Sequence, residues 1–269
     1  MAKTRHGPEF LWQLCTFLFA AFLSIGNAAA TSANTDLSDI WWNPAESGWG
    51  MQIVNTGTFA FVTIYHYGID GKPVWFGGGV NKTAADTFTG DLFATTGPYY
   101  GGPFNPAAVV VRKVGTMTFT VTSSTAGNFT YSVDGVVVSK PVARQPLTLD
   151  DYNGSYRGVL TQTASGCLDP AGDDPVTVAL ATDITQNANA ITVVTSQPGS
   201  TVCTFNGTYS QLGRMGQIQS TYSCSNGDVG TAQFLEMNIT PGMFTSRFLS
   251  QSSNRGCQAA GQIVGVIPQ

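Results

Sequence analysis

A ten-residue run of β-branched and aromatic side chains, Thr58-Phe59-Ala60-Phe61-Val62-Thr63-Ile64-Tyr65-His66-Tyr67, sets the tightest limit on what this chain can fold into. Such residues lose side-chain freedom in a helix and suit a pleated surface. The period of two puts Phe59, Phe61, Thr63, Tyr65 and Tyr67 on one face and Ala60, Val62, Ile64 and His66 on the other. Asp70-Gly71 then supplies a tight hairpin turn before Pro73-Val74-Trp75-Phe76. The same style recurs at 116–122, 128–132 and 136–139, the last two separated by Asp134-Gly135.

Eight further strand-like runs follow, between Tyr152 and Val266. Turn signals at Asn226-Gly227-Asp228 and Pro241-Gly242 punctuate them, and Asn206-Gly207 is expected inside a bulge. Gly77-Gly78-Gly79 follows a strand but opens no helix and precedes no Lys-Ser pair. It is expected to mark a bulge or a close backbone approach rather than a phosphate loop. Beyond the first thirty residues no segment carries a helical period. The expected fold class is all-β, with two antiparallel meander domains, barrel- or sandwich-like.

The boundary between them is written in the rare residues. Trp41, Trp42, Trp49 and Trp75 lie in the first half, and Cys167, Cys203, Cys224 and Cys257 in the second. The proline-bearing stretch 139–147 separates the halves, giving expected domains at 36–146 and 147–269.

Residues 1–30 read as a signal peptide. Lys3, Arg5 and His6 make a basic start, Phe10 to Ile25 an apolar run, and Ala28-Ala29-Ala30 a small-residue cleavage site. That run is shorter than the ~20 residues a spanning helix needs, and no membrane span is expected after cleavage. The remaining chain carries 10 basic and 15 acidic side chains, a net charge of −5 with no basic stripe, which argues against nucleic acid as a partner. Four cysteines in an exported chain imply two disulfides. Cys203–Cys224 is favoured as a link between neighbouring strands, and Cys167–Cys257 as a tie between the domain's ends. The expected location is periplasmic or extracellular.

The decapeptide Trp41-Trp42-Asn43-Pro44-Ala45-Glu46-Ser47-Gly48-Trp49-Gly50, an aromatic strand, and then Asp70-Gly71-Lys72-Pro73-Val74-Trp75-Phe76 resemble a module of exported bacterial proteins. That module opens W-W-x-P-x-x-S-G-W-G and continues to a D-G-x-P-x-W-[FY] hairpin. The resemblance covers roughly residues 36–80, implies export from a bacterium, and brings no catalytic residues with it. The second half is similar only in general architecture to avidin-like and lipocalin-like barrels.

Chemistry is constrained by scarcity. Past the leader the only histidine is His66 and the only glutamates are Glu46 and Glu236, so a His-rich metal site is excluded and any catalytic triad would need His66. There is no G-x-S-x-G elbow. A carboxylate pair for glycoside hydrolysis could come from Glu46, Asp70, Asp91 and Glu236, against the plainer reading that Glu46 and Asp70 serve turns. Asp169, Asp173 and Asp174 form an acidic loop, better read as solvated than as a calcium site. The expectation is a non-enzymatic, cofactor-free binding protein for a glycan, a small apolar ligand or an envelope protein. Its ligand-binding residues are expected to be Trp41, Trp42, Trp49, Tyr65, Tyr67 and Trp75, forming an aromatic-lined cavity or rim, against the reading that Trp42, Trp49 and Trp75 pack together where the first strand meets the hairpin; both hold if one tryptophan is buried and another exposed. The alternatives are an extracellular polymer hydrolase and a surface-assembly protein, the latter requiring a long unprotected edge strand.

Overall fold

The computed structural model describes residues 36–197, 199 and 201–268; the leader-like segment lies outside the described residues. Among the described residues sixteen strands close into two antiparallel barrels of eight. The first comprises β1 (Asp39–Trp42), β2 (Gly50–Asn55), β3 (Phe59–Tyr67), β4 (Pro73–Ala84), β5 (Thr87–Thr96), β6 (Val110–Val121), β7 (Ala126–Val133) and β8 (Val136–Arg144). The second comprises β9 (Gly154–Ser165), β10 (Pro175–Asn187), β11 (Ala190–Ser196), β12 (Val202–Leu212), β13 (Met215–Cys224), β14 (Val229–Thr240), β15 (Met243–Ser252) and β16 (Gln258–Val266). No described helix is long and apolar enough to cross a membrane.

Both barrels are filled. Ala60, Val62 and Ile64 of β3 point inward with Met51, Ile53, Phe119 and Phe129, all buried. The second interior is built from Tyr156, Phe205, Tyr209, Phe234 and Phe244. Phe205 meets Phe234 edge-on, with ring centroids 5.3 Å apart, a favourable aromatic geometry. The second barrel leaves no free strand edge of the kind that a surface-assembly role would need, whereas in the first β8 meets β1 only at Ala143 and Arg144. Asn206-Gly207 is not a bulge. Gly207 pairs in register with Ile191 and Ser220, and an added Cβ would come 2.2 Å from the Gln219 carbonyl. The register shifts of this barrel fall instead between Gly216 and Ile218 and between Leu235 and Asn238. Gly78 meets the other expectation, close backbone approach: its Cβ would come 2.2 Å from the Asp91 carbonyl.

The two disulfides are Cys203–Cys224 and Cys167–Cys257. Cys203 and Cys224 face each other across β12 and β13, while Cys167 and Cys257 join the segments after β9 and before β16. Asp173 of the acidic loop accepts bonds from the Gly166 and Cys167 amides, so it supports the bridge it adjoins.

The first barrel closes on a short seam. β1 pairs with β8 at only two positions, Trp41 with Arg144 and Trp42 with Ala143, whereas β16 pairs with β9 at nine. Arg144 supplies what the seam lacks. Its fully buried guanidinium binds Asp39 at 2.7 Å and the carbonyls of Ser124 at 2.7 Å and Asp36 at 2.5 Å, and it lies 4.9 Å from the Trp41 ring centre. Burial pulls the Arg144 pKa down and Asp39 opposes that pull.

The same carboxylate reaches the second barrel. Asp39 Oδ2 accepts the Arg214 amide at 2.8 Å, Arg214 Nε donates to the Ser38 carbonyl, and its guanidinium pairs with Asp36. Gly213, at φ +60°, makes this approach possible, because a Cβ there would stand 2.1 Å from Asp39 Oδ2.

Asp39→Asn is expected to destabilise the first barrel by about 3 kcal/mol, since it strands a buried cation. Pairing it with Arg144→Met is expected to cost less than the sum of the single changes, measured by urea unfolding under tryptophan fluorescence. In the second barrel, replacing Cys167 and Cys257 by alanine is expected to lower stability more than replacing Cys203 and Cys224. The bridges span separations of 90 and 21 residues, which on chain-entropy grounds differ by about 1 kcal/mol.

Candidate functional site

The tryptophan decapeptide is the end of β1, a structured loop and the start of β2. Asn43 organises the loop: its carbonyl accepts the Glu46 amide and its Oδ1 accepts the Ala45 amide. Lys140 forms an ion pair with Glu46, and its ammonium lies 5.4 Å from the Trp49 ring centre. Gly48, at φ +101°, turns the chain under the Tyr67 ring, whose hydroxyl oxygen lies 3.0 Å from where a Cβ would be.

The six aromatic candidates do not form one platform, and the pleat explains why. Adjacent residues of a strand face opposite ways. Trp41 therefore goes inside, wholly buried edge-on against Phe119 at 5.1 Å, with its indole N–H donating to the Leu37 carbonyl. Trp49 is also core: it stacks on Tyr131 and donates to that residue's hydroxyl at 3.2 Å. Trp41 is corrected from a binding surface to a packing residue, while Trp49 packs in the core and also lines the outer cleft between Trp42 and Tyr65. Tyr65, Tyr67 and Trp75 are about half exposed and Trp42 partly so, all on the outer wall.

That wall holds a cleft of about 360 Å³. Its geometry follows from register. Trp42 pairs with Gly50 and Gly50 with Tyr65, so the two aromatic residues stand two strand spacings apart, about 10 Å, with no side chain between them. Gln52, Gln145 and Ser47 also line the cleft, and the Tyr65 hydroxyl reaches Gln52 Oε1 at 3.4 Å. Trp75, opposite Tyr65 on β4, extends the aromatic row. An aromatic-lined cleft thus lies on the barrel's flank, not in its cavity.

A second concavity, of about 900 Å³, lies on the outer face of β14, β15, β16 and β9. No carboxylate lines either one. The four acids considered for hydrolysis are each held by a cation: Glu46 by Lys140, Asp70 by Lys72, Asp91 by Lys113 at 2.7 Å and Glu236 by Arg247. Glu236, moreover, belongs to the other barrel. Among the described residues no group of three or more His, Cys, Asp or Glu side chains could hold a metal.

His66 lies near the loop end of the first barrel, its ring 5.1 Å from Phe76 and 6.0 Å from Tyr131, with Nε2 buried and without a hydrogen-bond partner among the described residues. Burial pushes its pKa below the usual value, and the Lys140 charge adds to the effect.

No family model matches the chain, and no curated protein matches it. Two solved structures are similar. One is the isotype 1 transferrin binding protein B from serogroup B Neisseria meningitidis, at 8% identity and a TM-score of 0.32, covering 86% of this chain and 69% of that one. The other is a protein of unknown function of the DUF3598 family from Nostoc punctiforme, at 11% identity and a TM-score of 0.29, covering 88% of this chain and 97% of that one. Likenesses of this size transfer no function.

The His66 ring is expected to titrate by NMR below its ordinary ~6.5, and Lys140→Met to move that midpoint upward. The folded pKa lies below the unfolded one, so the stability His66 contributes is present above ~6.5 and is lost as pH falls through the folded value. His66→Phe is expected to flatten that part of the pH–stability profile.

Proposed function

We propose that the protein is an exported, non-enzymatic binding protein whose first barrel grips a neutral saccharide ring in the cleft between Trp42 and Tyr65. The observation that carries this reading is the bare Gly50 backbone between two outward aromatic residues, with the amides of Gln52 and Gln145 lining the same cleft. A sugar ring has apolar C–H faces and a rim of hydroxyls. The faces suit aromatic walls, and the hydroxyls suit side chains that both donate and accept. Export is supported by the two disulfides, by the signal-peptide composition of residues 1–30, and by the resemblance of the Trp41–Gly50 and Asp70–Phe76 segments to a bacterial exported module.

One observation favours an envelope protein as partner instead. The segment between β5 and β6 exposes Tyr99, Tyr100 and Phe104, and the β3–β4 turn exposes Ile69 completely. Register puts both at the end of the first barrel that also holds the decapeptide loop. Exposed apolar tips grouped in this way suit a protein surface.

Tryptophan fluorescence separates the two, since every described tryptophan is in the first barrel. Titration with neutral hexasaccharides is expected to shift the emission saturably and to shield Trp42 from acrylamide. Trp42→Ala is expected to weaken binding at least tenfold, about 1.4 kcal/mol, with no change in the unfolding midpoint. Unchanged emission with every sugar would overturn the saccharide reading.

A further inference from the structure

The second barrel carries a different surface. Its outer concavity is floored by a row that register draws across four strands: Gln233 of β14 opposite Leu249 of β15, Leu249 opposite Ala260 of β16, and Ala260 opposite Thr163 of β9. Three strand spacings make this floor about 14 Å wide. Gln258 and Gln262 flank Ala260 along β16 and also line the concavity. The amides of Gln233, Gln258 and Gln262 make no side-chain hydrogen bond with the rest of the protein among the described residues, while Gln251 is engaged with the Ser252, Gly256 and Cys257 carbonyls. At about 900 Å³ the space lies near the top of the ~300–1,000 Å³ range of ligand sites.

The one charged side chain in the lining is Arg247. Glu236 pairs with it at 3.5 Å, both side chains being largely buried. Glu236 reaches it from the irregular stretch of β14 between Leu235 and Asn238, with a backbone φ of +53° that a non-glycine residue seldom adopts. Such bulges re-aim side chains. Here the result is that the single cation of the groove is neutralised and held in place.

We infer that this groove is a second, separate binding site, for an extended uncharged oligosaccharide. Its charge is balanced, so it offers no attraction to anionic or cationic polymers. Its solvent-facing amides, not engaged by other side chains or the backbone, both donate and accept, as hydroxyls do. Leu249 and Ala260 give a narrow apolar floor for the C–H face of a sugar chain. A peptide bound by strand addition would need a free edge, and a closed barrel has none. The inference uses none of the residues of the first-barrel cleft and stands without it.

The test uses the intact protein with cellohexaose, maltohexaose and chitohexaose as probes, followed by calorimetry and by hydrogen exchange resolved to strands. At least one hexasaccharide is expected to bind saturably and to slow exchange at 231–233 and 258–262. Ala260→Trp, which fills the floor from outside the barrel core, is expected to abolish that protection. Gln258→Ala is expected to weaken binding several-fold, and Trp42→Ala to leave protection in the second barrel unchanged. An unaltered melting midpoint shows that each variant is folded. Protection confined to the first barrel, binding indifferent to both Ala260→Trp and Gln258→Ala, or binding of an uncharged Gly-Ser-Gln peptide in place of all three sugars would each overturn the inference. The first of these outcomes would leave the Trp42 cleft intact as a site, so the two readings fail separately.

Discussion

Arg144 closes the first barrel. A four-residue β1 that meets β8 at two positions cannot hold a closed sheet by its ladder alone. The guanidinium makes up the difference by gathering the Asp39 carboxylate, the carbonyls of Asp36 and Ser124 and the face of Trp41. A cation taken wholly out of water is costly unless every donor is met. Met in this way it also specifies: only one register of β1 brings Asp39, Leu37 and Trp41 to their partners. Since Trp41 faces in, Trp42 must face out, and the flank cleft follows from that.

The Asp39 carboxylate serves both barrels, since its second bond comes from the Arg214 amide of the β12–β13 turn. The two barrels therefore meet at the seam that most needs support, at the end of the first barrel away from the decapeptide loop. The loop end is left to Glu46, Lys140, Trp49 and His66 on one side and to the exposed residues of the β5–β6 segment on the other.

Much of the fold was legible in the chain. Alternation over Thr58–Tyr67 separated the buried Ala60, Val62 and Ile64 from the outward aromatic face, and Asn226-Gly227-Asp228 and Pro241-Gly242 marked two hairpins of the second barrel. The two disulfides are the pairing favoured from the sequence among the three that four cysteines allow. Three strands of the first barrel were less legible. β1 is short and hidden in a motif, β2 is opened by a glycine, and β5 is broken to the eye by Gly90 and Asp91, although Phe88 and Leu92 keep its inward phase. The candidate site was half legible. Six aromatic residues were singled out, but a cluster in sequence is not a cluster in space, and the pleat alone sends Trp41 and Trp42 to opposite sides. The Arg144 node left no local signal, because its partners come from residues 36, 39 and 124, far apart along the chain. The amide groove left none either: glutamine, alanine and threonine on four strands look like ordinary solvated positions until register aligns them.

The seam also orders events in time. A chain that emerges N-terminus first, from a ribosome or a translocation channel, presents Asp39 105 residues before Arg144 and 175 residues before Arg214. Until then β1 has only β2 for a neighbour, and the hairpin that carries the tryptophans must wait with one side open. Pairing of strands far apart in sequence is intrinsically slow, because the chain between them must first lose entropy. Here it falls to a residue at the end of β8, so the first barrel cannot lock while its own chain is still being threaded. The last of the Asp39 bonds forms only after half of the second barrel's strands have followed.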